Sequence, residues 1–425
     1  FVIATHLLIG RYIKKGYPHY LTHPLYIALV SPWRPTMYKG RILFSQIMDY
    51  LSYDVFDYHV KKHRGNYKNK RFSCRDQFLA MVFAQLTDRS SLRSIEATLR
   101  VNQHLLHHMG FRCATVSRNT LANANETRPW QIYEGLAQNL MRRAQKLYAK
   151  ESLTVDIDTR VFALDSTTID LCLKRFFWAP SRLSQAAVKL HVLLAIRGNI
   201  PEFIVITNAK VNDVNILDDI NYLAGAFYLV DRGYVSFERL YRLHQSQAFF
   251  VTRAKRRLRF SVVVSREVDK TLGLRCDQTI RLDSFYPRKY YPEAIRRVKY
   301  RDPESGRSLV FLTNNFSLPA LTIADLYRQR WQVELFFKWI KQHLRIKTFY
   351  GYSENAVRTQ LWIAISAYCL LAIIRKELNA DRELHEIQEI LSASIFQKMP
   401  ILQAFSSVNT KKENHSLHKP PSLFD

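Results

Sequence analysis

Apolar residues in DQFLAMVFAQLT (76–87) and SLRSIEATLRV (91–101) recur at three- and four-residue spacing, which predicts amphipathic helices. IYEGLAQNLMRRAQKLYAK (132–150) extends the same period, so residues 37–150 read as a helical N-terminal domain. Past residue 155 the period changes. TRVFALDSTTIDL, VKLHVLLAI, EFIVITNA, AFYLVD and AFFVTRA are short apolar or alternating runs rich in Val, Ile and Phe, and they read as strands. VNILDDINYLAG (214–225) and SFERLYRLHQSQ (236–247) read as short helices between them. That order predicts an α/β sheet over 155–254 whose first three strands form a meander. Residues 255–317 break into short β-like pieces, with RDPESGR (301–307) as a turn. Helical spacing returns over 318–405, through ADLYRQRWQVELFFKWIKQHLRI and AVRTQLWIAISAYCLLAIIRKEL. The polar tail 406–425 is expected to be mobile. Met37 opens a helix-like stretch, so residues 1–36 are read as an upstream extension, with a genuine N-terminal arm as the alternative.

Charge narrows the partners. The 425 residues carry 63 Lys and Arg against 36 Asp and Glu, a net charge of +27, which calls for a polyanion: DNA, RNA or an anionic membrane. The longest apolar stretch, Leu361–Ile374, falls short of the roughly 20 residues of a spanning helix and reads as a buried core helix. The five cysteines are far apart, and none forms a CxxC pair. A disulfide framework or zinc site is therefore not expected, and a reducing cytoplasm fits. Nucleic acid is the leading partner. The run KKHRGNYKNKR (61–71) mixes cations with an aromatic residue and reads either as a phosphate-binding loop or as a solvated surface.

Three acids stand out by position. Asp165 follows the apolar start of the first strand, where alternation sets it on the face of Ala163, opposite Phe162 and Leu164. Asp231 ends the run AFYLVD, where a strand gives way to a loop. Glu334 lies on a helix beginning near Ala324. At about 100° per residue, Tyr327, Arg330, Glu334, Lys338 and Lys341 share an arc of roughly 80°, with Val333, Phe336, Phe337, Ile340 and Leu344 broadly opposite. Such a stripe suits a carboxylate working among phosphate-gripping cations, or equally a salt-bridged surface helix. Taken together, the three acids form a hard-oxygen set suited to Mg²⁺ or Mn²⁺. A pair of such ions can serve phosphoryl transfer.

The spacing Tyr327, Arg330, Glu334, Lys341, with ALDST around Asp165 and LVDRGY around Asp231, resembles the DDE transposases of the insertion-sequence-four family. The segment FSQIMDYL…FSCRDQFLAMVFAQLTDRSSLRSIEATL resembles an N-terminal domain found in many members. The resemblance spans about residues 37–405. It implies an RNase H-like catalytic core, a mixed sheet flanked by helices, over 155–254 and 318–405, interrupted by a β-rich insertion over 255–317. It implies that Asp165, Asp231 and Glu334 hold two Mg²⁺ ions, for which Mn²⁺ substitutes. By the same carry-over, Tyr327, Arg330 and Lys341 contact the DNA end, with Lys338 on the same stripe. Arg232, Arg253 and Lys255 are weaker candidates for phosphate contacts.

The implied activity is cutting of the element's ends and joining to target DNA, with a hairpin as one route between them. The implied partners are double-stranded DNA, as terminal inverted repeats and target, and a second copy on paired ends. The setting is the bacterial cytoplasm, at the nucleoid. A catalytically inactive DNA-binding descendant and an RNase H-like nuclease without strand transfer are the alternatives. Relatives stack a flipped base on a tryptophan of the insertion, whereas this chain has no Trp between Arg232 and Arg330. Trp331, Phe285, Tyr286, Tyr290 and Tyr291 are the aromatic substitutes. His191 reads as a core histidine, and Asp213 as an outer support of the acidic site.

Overall fold

Among the described residues, six α-helices precede the first strand: α1 (Leu43–Met48), α2 (Tyr53–Lys62), α3 (Cys74–Leu86), α4 (Leu92–Val101), α5 (Arg118–Thr127) and α6 (Gln131–Tyr148). They belong to a computed structural model that describes residues 40–69, 71–179, 186–303 and 306–406. The N-terminal extension and the tail beyond Ser406 lie outside the described residues. The start of α3 is fixed by a reciprocal cap. Ser73 Oγ accepts from the Asp76 amide at 3.1 Å, and Asp76 Oδ2 accepts from the Ser73 amide at 2.7 Å.

The sheet grows outward from β1 (Val161–Leu171). On one side β1 pairs antiparallel with β2 (Ala186–Ala195), and β2 with β3 (Ile200–Asn208). Between β2 and β3 the chain turns at Gly198, at φ +74, where an added Cβ would lie 2.2 Å from the Tyr148 ring. On its other side β1 pairs in parallel with β4 (Phe227–Val230), and β4 with β5 (Phe249–Arg253). The order β3-β2-β1-β4-β5 is the expected RNase H-like core, meander included. The run 214–225 differs from expectation, being a tight 3₁₀ turn over Asp213–Asp218 followed by irregular chain to Gly225. Asp and Asn recur at 213, 215, 218, 219 and 221, and such short polar side chains compete with helical backbone bonds. The other short helix forms as α7 (Phe237–Gln245).

The β-rich stretch extends the same sheet. β6 (Phe260–Arg266), β7 (Leu274–Leu282), β8 (Ile295–Arg301) and β9 (Ser308–Thr313), with α8 (Phe285–Tyr290) between β7 and β8, continue it through an antiparallel β5–β9 pairing. The result is nine strands in the order β3-β2-β1-β4-β5-β9-β8-β7-β6.

Among the described residues, five helices follow: α9 (Ala320–Gln329), α10 (Trp331–His343), α11 (Glu354–Glu377), α12 (Leu384–Ser394) and α13 (Ile401–Phe405). Ser353 caps α11 by accepting from the Ala356 amide. α11 is long and apolar enough to cross a membrane, but 94% of its most apolar window is buried within the fold. The reading of Leu361–Ile374 as a core helix therefore holds. α11 packs on α3, α5, α6 and α12, so helices from both ends of the chain share one core. Phe162, Leu164, Tyr228 and Leu240 fill a second core on the opposite face of the sheet.

Candidate active site

Parallel pairing of β1 and β4 sets Leu164 beside Val230, so the next residues, Asp165 and Asp231, stand side by side. Asp165 shares its face with buried Ala163, the face on which α10 packs, while Phe162 and Leu164 enter the other core. Asp231 leaves β4 and opens a 3₁₀ turn over Arg232–Tyr234. Glu334 lies in the first turn of α10.

Arg330 joins these acids. Its Nη2 lies 2.6 Å from Glu334 Oε1 and its Nη1 3.4 Å from Asp165 Oδ2. The helix expected to run on from Ala324 tightens at this residue. The Arg330 amide bonds Tyr327 O, and the Val333 amide bonds Arg330 O, each three residues back. Tyr327, expected on an exposed stripe, is only 3% exposed. It packs on Phe311 and donates its hydroxyl to Asp231 Oδ1 at 3.2 Å. The opposite arc is buried as expected, at Val333, Phe336, Phe337, Ile340 and Leu344. Lys338 is exposed, and Lys341 Nζ donates to Thr168 O at 3.1 Å, tying α10 to β1.

The acids sit in unlike electrostatic settings. Burial pushes Asp165 up to about 6, with Glu334 and Asp231 adding to the rise against the Ser166 amide and Arg330. For Asp231 burial also favours the neutral form. The Arg232 and Gly233 amides, the Arg330 charge and the Tyr327 hydroxyl outweigh it and hold the carboxyl below its usual value. Among the described residues, no three His, Cys, Asp or Glu side chains are grouped closely enough to hold one ion. The donor chemistry nevertheless fits a hard divalent cation: Asp165 stands beside Asp231, and the positive charge between Asp165 and Glu334 is Arg330.

A polar layer that sequence reasoning placed only loosely backs the site. The Ser166 amide donates to Asp165 Oδ1 at 2.8 Å, and Ser166 Oγ to Asp213 Oδ1 at 2.9 Å. Lys189 Nζ pairs with Asp213 at 2.9 Å. Lys189 gave no sequence signal beyond being the lone cation within an apolar strand. His191 is fully buried, bonds Thr207 through Nε2 and is held neutral by burial, at about 4.

Beside Asp231 a basic groove opens, lined by Arg232, Gly233, Lys255 and Arg256. It runs on past Arg253 and Arg297. Lys255 is partly committed, since its Nζ donates to Val235 O at 2.9 Å. Arg256 and Arg297 were missed in the sequence because they sit among many other cations. Of the aromatic substitutes, Phe285, Tyr286 and Tyr290 are exposed on α8. Tyr291 is buried and bonded to His244 Nδ1, so it offers no free face for stacking. Trp331 is partly buried at the start of α10.

The family described as Transposase DDE domain matches residues 156–370, and a domain of unknown function, DUF4372, matches residues 39–112. A Sinorhizobium fredii protein named as a transposase is 33% identical over 288 residues, 66% of this chain and 78% of that protein. A Geobacillus stearothermophilus protein named as a transposase for insertion sequence element IS5377 is 33% identical over 263 residues, 61% of this chain and 67% of its own length. A Synechocystis protein named for element IS4SA is 21% identical over 357 residues, 82% of this chain and 94% of that protein.

Proposed function

The chain belongs to the DDE transposase family, and on that premise we propose that Asp165, Asp231 and Glu334 are its catalytic carboxylates, acting on the ends of an insertion sequence. The observation that carries the assignment is the juxtaposition of two acids at neighbouring parallel strands with a helical glutamate, linked through Arg330. The family acts on DNA and depends on divalent metal. Here the three carboxylates would hold two Mg²⁺ ions, or Mn²⁺ in their place, which when bound activate the attacking oxygen and stabilise the leaving one.

The chain's own residues prepare that chemistry. The Ser166 amide fixes the Asp165 carboxylate, and Tyr327 with the Gly233 amide orients Asp231. Arg330 balances the charges of Asp165 and Glu334 and would also steady the DNA end. Lys341 and Lys338 hold the terminal backbone. Arg232, Arg253 and Lys255 follow phosphates along the groove. Tyr327 acts here chiefly through Asp231, because its hydroxyl is already committed. Terminal inverted repeats and target DNA are the substrates, paired on a homodimer. A hairpin intermediate would draw on the exposed aromatic rings of α8. The helices over 37–150 add DNA contacts through the loop at 61–71, where the cations of Arg64 and Lys68 stack on Tyr67. The reaction takes place in the bacterial cytoplasm, at the nucleoid.

Purified protein incubated with terminal-repeat DNA and Mg²⁺ tests the reading. Cleaved ends and joined products are expected. Binding without cutting indicates an inactive DNA-binding descendant, and cutting without joining indicates a nuclease.

A further inference from the structure

β6 ends the nine-stranded sheet, and its outer edge pairs with no strand among the described residues. Val262, Val263 and Val264 are 48%, 52% and 48% exposed, so β-branched apolar side chains reach solvent on both faces of this edge. Such an edge is a template for another strand. The sequence around it reads almost identically in both directions about Val263: Ser261-Val262-Val263-Val264-Ser265. The flanking charges are complementary under the same reversal. Antiparallel pairing of two copies centred on Val263 sets Ser261 against Ser265 and Val262 against Val264. It also brings Arg259 and Glu267, each one residue beyond an end of β6, opposite each other, while Phe260 faces Arg266. The opposite-charge pair occurs twice because the arrangement is two-fold. The complementarity stops there, because Arg257 lies in a turn and Asp269 Oδ1 already accepts from the Thr271 amide and hydroxyl. β6 bulges against β7 between Val262 and Val264, so both copies carry that irregularity at the symmetry axis.

We propose that the β6 edge is a homodimer interface, in which two chains join their sheets antiparallel about Val263. The occupant is a second copy because the edge is complementary to itself in both apolar pattern and charge sign. A chain with net charge +27 repels its own copies, and the two symmetric Arg259–Glu267 pairs offset that repulsion locally. This deepens the homodimer proposed above by assigning it a face, and it does not require DNA for assembly.

The test is sedimentation of the full chain without DNA at tens of micromolar, alongside Val263→Lys, Arg259→Glu, Glu267→Arg and the double variant Arg259→Glu with Glu267→Arg. Circular dichroism reports whether each variant is folded. The wild type is expected at twice the monomer mass. Val263→Lys is expected to be monomeric, and each single charge reversal to weaken association about tenfold. The double reversal restores dimers by exchanging the two signs. A monomeric wild type overturns the interface, as does a dimer indifferent to Val263→Lys or a double reversal no stronger than the singles. Dimers that appear only on terminal-repeat DNA also overturn it, while leaving the paired-end reading standing.

Discussion

Arg330 is the residue on which the acidic site turns, since one guanidinium serves both Asp165 and Glu334. Its i,i+4 relation to Glu334 was readable from spacing. Its tie to Asp165, 165 residues away, was not, because only the packing of α10 on β1 creates it. Removing the cation leaves two carboxylates facing each other in a half-buried site. Arg330→Gln is therefore expected to lower the stability of the cation-free protein by about 1–3 kcal/mol at pH 8. Mn²⁺ should then raise the melting temperature of the variant by more than it raises that of the wild type. Differential scanning fluorimetry with and without Mn²⁺ measures both effects, and equal shifts would contradict the counter-charge role. His191 gives a separate pH signature. Burial lowers it from 6.5 to about 4 in the folded chain. The unfolded chain therefore takes up this proton first as pH falls. The histidine costs no stability above pH 6.5 and progressively more as pH falls from 6.5 towards 4. Between pH 7 and pH 5 the loss is about 2 kcal/mol. Denaturant unfolding at the two pH values should show that loss in the wild type and a smaller one in His191→Gln.

Among the elements, the strands were the most legible, because Val-, Ile- and Phe-rich runs bounded by polar turns leave few other structures open. β6, β8 and β9 fall within β-like runs read from the sequence, whereas β7 begins at Leu274, four residues before its run, QTIRLDSF. That they continue the catalytic sheet was not readable, since the β5–β9 pairing joins segments about 60 residues apart. The stripe on α9 and α10 was legible as a set of residues but not in its exposure. Helical angles do not reveal that Phe311 and Asp231 enclose Tyr327. α11 depends on partners from both ends of the chain. Its buried residues meet α3, α5 and α6, so a fragment beginning at residue 151 would expose a broad apolar surface. Expression of residues 151–406 alone is expected to give aggregated or dye-binding protein. A monodisperse fragment with a sharp melting transition would show that the two regions do not depend on a shared core.

At the scale of the whole molecule, five of the 63 Lys and Arg behind the net charge of +27, Arg232, Arg253, Lys255, Arg256 and Arg297, line a groove leading to Asp231. If about five of its cations neutralise phosphates, the logarithm of DNA affinity falls with the logarithm of salt with a slope of about −4.5. Arg256→Ala with Arg297→Ala should reduce that slope by roughly two and weaken binding similarly across DNA sequences. Fluorescence anisotropy across a salt series measures it, and an unchanged slope would place the DNA elsewhere. The catalytic assignment has a more direct test. Wild type, Asp165→Ala, Asp231→Ala and Glu334→Ala are each incubated with terminal-repeat DNA and Mg²⁺. Strand cleavage is read on a denaturing gel and end binding by mobility shift. All three variants are expected to bind ends nearly as the wild type does and to cut none. Normal cleavage by any one of them would remove that residue from the site.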